Sequence, residues 1–243
     1  MRTSIRDKVA LVTGASRGIG RASALALAQE GAHVIVAART AGELETLAGE
    51  IRALGREALP VARDVSLTSD VDALFEQANA RFGRVDILIN NAGAGKYGPV
   101  DMLTPEDYDW MMDTNMRSSF LCTRLALPGM KERREGNIVF VGSVSGLKGT
   151  PNQAVYSATK HAQHGFASAL DAECREYNVK ISYLAPGGTS THFAFGMGRT
   201  EGDPKLEQYL DPEDVAEAVV FAVTQPPKAR AFLIGIRPMR EAL

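Results

Sequence analysis

An α/β fold is predicted: a doubly wound parallel sheet of seven strands with helices on both faces. Two observations predict it. Short strand-like runs rich in Val and Ile lack polar alternation, as expected of strands covered on both faces. Helix-like segments alternate with these runs along the whole chain. With 45% hydrophobic residues in a chain of 243, there is ample material for a core.

The elements follow in order. A strand at 9–12 precedes a helix at 18–30. A strand at 34–37 precedes a helix at 43–54, and one at 58–61 precedes a helix at 69–81. The fourth strand, 85–89, leads to a long helical stretch at 105–133. The fifth, 138–141, leads to a helix at 152–176. The sixth, 181–184, is followed by an irregular stretch at 187–210, a helix at 212–224 and a seventh strand at 232–234. No linker, charge block, low-complexity tract or repeat interrupts the pattern, so residues 1–243 read as one domain.

Charge and composition exclude some functions. A net charge of −2 and a pI near 6.1 give no general pull toward nucleic acid or anionic membrane. No apolar run approaches the ~18 residues of a membrane helix. The N-terminus runs straight into a strand where a signal peptide would be apolar, so a cytoplasmic location is expected. Cys122 and Cys174 lack metal spacing and read as reduced thiols. His161, His164 and His192 form no ligand set with carboxylates, and the first two read as a solvated helix face; no metal is expected.

Four short motifs carry the chemistry. Gly14, Gly18 and Gly20 follow the first strand and open the first helix, with Ser16, Arg17 and Ile19 between them. Such a turn lets backbone N–H groups approach a pyrophosphate at the positive end of a helix. No Gly-Lys-Ser/Thr follows, which excludes a P-loop. A NAD site usually carries an acid at the end of the second strand. Here the run is Ala37-Ala38-Arg39-Thr40, and Arg39 with Arg17 can clamp a 2′-phosphate, so NADP(H) is expected over NAD(H). Both arginines as solvated surface charges are the alternative.

Tyr156 and Lys160 lie four apart on a predicted helix and share a face. A nearby ammonium should lower the phenol's pKa from its ordinary value near 10, making it a usable general acid or base. Ser143 ends the fifth strand, at the carboxyl edge where doubly wound sheets bind ligands, and its hydroxyl can hold a carbonyl oxygen. Gly142-Ser143-Val144-Ser145-Gly146 is not a hydrolase elbow, because its centre is Val144. Lys131 to Glu135 is mixed in sign and reads as solvated; docking of an acidic carrier protein is the alternative.

Together these motifs resemble the short-chain dehydrogenase/reductase family, in its compact single-domain branch with a Rossmann sheet. The glycine fingerprint T-G-x3-G-x-G matches Thr13 to Gly20, and N-N-A-G matches Asn90, Asn91, Ala92 and Gly93. The resemblance implies an adenine-binding acid at Asp64-Val65. It implies a catalytic set of Asn115, Ser143, Tyr156 and Lys160, with Asn115 holding a water that links Lys160 to solvent. Lys160 would also bind the nicotinamide ribose. Pro186, Gly187, Thr189 and Thr191 fall on the segment that contacts the nicotinamide carboxamide. The implied reaction moves a hydride between nicotinamide C4 and a carbonyl or secondary alcohol, with Tyr156 handling the proton; a 3-oxoacyl substrate is one candidate. A homodimer or homotetramer is implied, although the ending Ile236 to Leu243 lacks the family's D-G-G segment. A cofactor-binding sensor without turnover is the competing reading, and a lyase or epimerase would need a further acid/base that is not evident.

The 187–210 stretch carries Phe193, Phe195, Met197 and Tyr209 among Gly196, Gly198 and Gly202. It reads as a lid with an apolar inner side, so a moderately apolar small-molecule substrate is expected. Packing of the lid onto the body is the alternative reading of the same residues.

Overall fold

The structure, a computed structural model, describes residues 2–240. Met1 and residues 241–243 lie outside the described residues, and with them the very end of the unusual C-terminal segment.

Seven parallel strands form one sheet in the order β3-β2-β1-β4-β5-β6-β7. They are β1 (Val9–Thr13), β2 (His33–Ala38), β3 (Ala58–Ala62), β4 (Ile87–Asn90), β5 (Gly136–Val141), β6 (Val179–Pro186) and β7 (Leu233–Ile236). The helices are α1 (Gly18–Gln29), α2 (Ala41–Ala53), α3 (Thr68–Phe82), α4 (Pro105–Met112), α5 (Ser118–Arg133), α6 (Ala154–Cys174) and α7 (Pro212–Val223). The doubly wound Rossmann sheet expected from the sequence is present.

Strand alternation divides the core in two. Val9 and Leu11 of β1 face one layer with Leu88, Phe140, Tyr183 and the apolar sides of α3, α5 and α6. Ala10 and Val12 face the other, with Ile87, Ile89, Val139 and residues of α1, α2 and α7. Successive side chains point to opposite faces, and both faces are covered, so the central strands are mostly apolar, with polar residues such as Thr13 and Asn90 at their carboxyl ends.

The long helical stretch expected at 105–133 is present, with one wider turn inside it. Asp113–Arg117 forms a π-helical turn between α4 and α5. The wider turn rotates Asn115 fully inward, where it is inaccessible to solvent. The expected helix at 152–176 begins at Ala154 and ends at Cys174, followed by a short 3-10 turn at Arg175–Tyr177.

The sheet order reverses direction between β1 and β4. Chain connections leave in opposite senses from this point, opening a crevice at the carboxyl ends of the strands. The glycine turn after β1, the Asn90–Gly93 segment after β4 and Ser143 after β5 all lie on this edge.

Candidate active site

The glycine turn is built by close approach. Gly14 has φ +62° and Gly18 φ +55°, backbone conformations that side chains rarely adopt. A Cβ on Gly14 would lie 2.9 Å from Ala92 Cα, and one on Gly20 would overlap the Gly14 carbonyl and the Asn91 amide. A Cβ on Gly18 would lie 3.1 Å from the Thr191 methyl, so the turn and the segment after β6 face each other there. Asn91 locks the arrangement: its Nδ2 donates to the carbonyls of Thr13 (2.9 Å) and Gly14 (3.1 Å). Thr13 Oγ1 accepts from the Asn91 and Ala92 amides, each at 3.0 Å. Asn91 therefore shapes the turn with its side chain.

The N-terminus of α1 has no side-chain cap and no acid in its first turn, whereas α4 and α7 carry capping boxes. Arg39 and Thr40 are exposed at the end of β2, and Arg17 stands 3.9 Å from Glu43 in an exposed pair. Asp64 Oδ1 accepts from the amide and hydroxyl of Ser66 at 3.0 and 2.7 Å, and Val65 beside it is buried. Pro186 ends β6, and the Gly187 amide donates to Ile236 O at 2.8 Å. Thr189 donates to Gly187 O, and Thr191 Oγ1 accepts from the Phe193 amide.

Across the crevice, Ser143 and Tyr156 hydrogen-bond through their hydroxyls, and Ser143 Oγ also accepts from the Ser145 amide at 3.0 Å. Lys160 Nζ donates to Val141 O at 3.2 Å and lies 5.8 Å from the Tyr156 ring centre. Burial pushes the Lys160 ammonium down to about 7, and burial also raises the Tyr156 phenol above its ordinary value. This corrects the expected lowering of Tyr156 by Lys160: desolvation is the largest influence, with the Ser143 hydrogen bond opposing it.

Asn115 is held by both its side-chain amide and its backbone carbonyl. Its Oδ1 accepts from the Ala94 amide (2.7 Å), and its Nδ2 donates to Ala94 O (2.9 Å) and Thr159 Oγ1 (2.8 Å). Its backbone carbonyl accepts from Gln163 Nε2 and Ser119 Oγ, both at 2.8 Å. Gln163 Oε1 is buried without a protein partner. Gln163, which the sequence does not single out, thus adds a buried acceptor against the Asn115 carbonyl.

Two further residues were missed. Tyr183, fully buried on β6, accepts from the Ser143 amide at 3.3 Å and donates to Lys160 O at 3.1 Å. A Cβ at Gly142 or Gly146 would strike its ring or hydroxyl, so these two glycines make its space. Tyr97 packs edge-on against Tyr156, with ring centres 5.5 Å apart.

Only part of the expected apolar lid faces the tyrosine. The Phe193 ring lies 5.7 Å from that of Tyr156 and 6.5 Å from that of Tyr97. Phe195 instead packs on His192, Met197 is exposed, and Tyr209 packs against Gly188. The segment is tied down at several points: the Tyr97 amide donates to Met197 O, Ser190 to Leu210 O, and Leu210 to Gly188 O.

Elsewhere, His164 packs against Tyr183 and Phe232 and does not lie on a solvated face. Lys131 sits over the Tyr177 ring, and Glu135 pairs with Lys8, so that charged run is partly engaged within the chain. Cys122 and Cys174 are buried free thiols. No helix among the described residues is long and apolar enough to cross a membrane.

The glycine turn at the sheet's reversal point and the Ser143–Tyr156–Lys160 group facing it define a class of protein. The family model described as short chain dehydrogenase matches residues 8–201, and the chain belongs to that family of oxidoreductases. The chain is 34% identical over 237 residues to an uncharacterised oxidoreductase of Staphylococcus aureus, covering 98% of this chain and 100% of that protein. Its fold is similar to an alcohol dehydrogenase from the archaeon Thermococcus sibiricus solved with 5-hydroxy-NADP (TM-score 0.90, 30% identity, 98% and 99% of the two chains). It is also similar to a 3-ketoacyl-(acyl-carrier-protein) reductase from Brucella melitensis solved with NADH (TM-score 0.88, 34% identity, 98% and 99%).

Proposed function

We propose that this protein is an NADP(H)-dependent carbonyl reductase in which Tyr156 protonates the carbonyl oxygen. The observation that carries the reading is the buried Ser143–Tyr156 hydrogen bond with Lys160 beside it, on the same sheet edge as the glycine turn. The bound dihydronicotinamide supplies the hydride for the carbonyl carbon. Ser143 and Tyr156 then hold the oxygen as negative charge develops, and the Tyr156 proton passes to it. The raised pKa of Tyr156 keeps it a phenol at neutral pH, the form that donates. Lys160 lies one helical turn along from Tyr156, with its Nζ 5.8 Å from the ring centre, and is the cation proposed to support the phenolate form.

The uncapped end of α1 and the positive-φ glycines suit a diphosphate, and Asp64 is the acid proposed to bind the adenine. Arg39, exposed and without a carboxylate partner among the described residues, supports NADP(H) over NAD(H). The structural relatives were solved with either type of cofactor, so the chain's own arginines carry this choice. Residues 187–210 form the proposed lid, with Phe193 its contribution to the reacting face.

The test is turnover of a panel of ketones, diketones and 3-oxoacyl thioesters with NADPH and with NADH, for wild type and Arg39→Asp. The reading expects NADPH-driven reduction by wild type. In the variant, the NADPH-to-NADH ratio of kcat/KM should fall by about tenfold or more. An unchanged ratio defeats the 2′-phosphate assignment; absence of carbonyl turnover defeats the reductase.

A further inference from the structure

Resting on the reductase reading, one residue of the proposed lid narrows the substrate. Arg199 is half-buried, and its Nη1 and Nη2 donate to Phe193 O (3.3 Å) and Thr189 O (3.0 Å). Its guanidinium lies 5.2 Å from the centre of the Tyr209 ring. Phe193, which it holds by the carbonyl, places its ring 5.7 Å from that of Tyr156. The guanidinium, Phe193 and the two tyrosines Tyr97 and Tyr156 thus share one side of the crevice.

Most other half-buried arginines find carboxylates. Arg21 pairs with Glu50, Arg56 with Asp7, and Arg84 and Arg133 with Asp86; Arg237, far from the tyrosines in sequence, is the exception among the described residues. Arg199 makes no ion pair among the described residues. A guanidinium stays charged at any working pH and presents five donors in a fork. Two N–H groups here go to backbone carbonyls, which leaves donors and the full charge uncompensated. Its field reaches both tyrosines, favouring their ionised forms. Half-removed from water beside aromatic rings, such a cation favours an anion supplied from outside the chain.

We infer that Arg199 binds an anionic group of the substrate, so that the preferred substrate is a carbonyl compound with an apolar body and a carboxylate or comparable anion away from the reacting carbon. The aromatic side chains receive the body and the guanidinium receives the charged end. This refines the moderately apolar substrate expected from the sequence.

The test compares reduction of 4-oxopentanoate with its methyl ester, and of 4-acetylbenzoate with its methyl ester, by wild type, Arg199→Met and Arg199→Lys with NADPH. Wild type should favour the acid of at least one pair by about tenfold in kcat/KM. Arg199→Met should erase that preference through KM, and Arg199→Lys, which keeps the charge but not the fork, should retain part of it. If Arg199 only holds the loop, acid and ester fall together at a constant ratio, and the inference is overturned. It is also overturned if Arg199→Met weakens NADPH binding while leaving the acid-to-ester ratio unchanged, because the anion is then the cofactor's own phosphate. Esters reduced as well as acids by wild type defeat the inference alone; no turnover of any carbonyl defeats the reductase reading and this inference with it.

Discussion

Tyr183 stands behind the reacting residues with its hydroxyl between the Ser143 amide and the Lys160 carbonyl. It ties the end of β5 to the middle of α6, the two elements whose spacing sets the Ser143–Tyr156 hydrogen bond. Replacing it by Phe leaves both backbone groups without this partner in a dry environment. Tyr183→Phe should cost about 1–2 kcal/mol in denaturant unfolding and lower kcat more than it raises KM. Stability and kcat both equal to wild type would remove this role. The residues of the glycine turn and the Ser143, Tyr156, Lys160 set were legible in the sequence because their spacing is imposed by the strand end and the helix turn. Tyr183 was not, because a tyrosine in a Val/Ile-type strand reads as core; Gly142 and Gly146, which make its space, were the available signal. The direction of the Tyr156 shift was also misread. Sequence shows a lysine one turn away but not that both groups are removed from water, and here desolvation outweighs the attraction.

At the scale of elements, the strands were legible because burial on both faces leaves few polar positions in them. The π-helical turn between α4 and α5 was not. Neither Pro nor Gly falls within Asp113–Arg117, and a single wide turn does not disturb apolar periodicity enough to be seen. What holds it is tertiary: Asn115 bonds Ala94 and Thr159, and Gln163 reaches its carbonyl from α6. Pro128, the usual signal for a helix break, sits inside α5 without ending it. The glycine turn has the tight strand-to-helix geometry its spacing predicts, and Gly20 is demanded by the chain's own packing. Gly20→Ala should lower stability by about 1–3 kcal/mol, because the methyl meets backbone and the locked Asn91 amide, and should weaken NADPH binding at the same time. Thermal unfolding and NADPH titration check both; a variant equal to wild type in each would show that the turn relaxes freely.

Across the whole molecule, the sheet order brings residues from four distant parts of the sequence to one edge. The turn after β1, the segment after β4, Ser143 after β5 and the 187–210 stretch after β6 meet there, and α6 lays Tyr156 and Lys160 against them. The parallel, doubly wound arrangement followed from strand–helix alternation; the strand order and the path of the 187–210 segment did not. Its aromatics look equivalent in sequence, yet Phe193 alone of those four meets the Tyr156 ring, and Arg199, unremarkable in sequence, sits among them unpaired. The central claim, proton delivery from Tyr156 in a cofactor-bound fold, is most directly tested by Tyr156→Phe. Its NADPH dissociation constant and its NADPH-dependent reduction of the best ketone should be measured beside wild type. The account predicts binding within about threefold of wild type and a loss of kcat of at least about a hundredfold. A variant that binds NADPH and still reduces the ketone at a wild-type rate would contradict it.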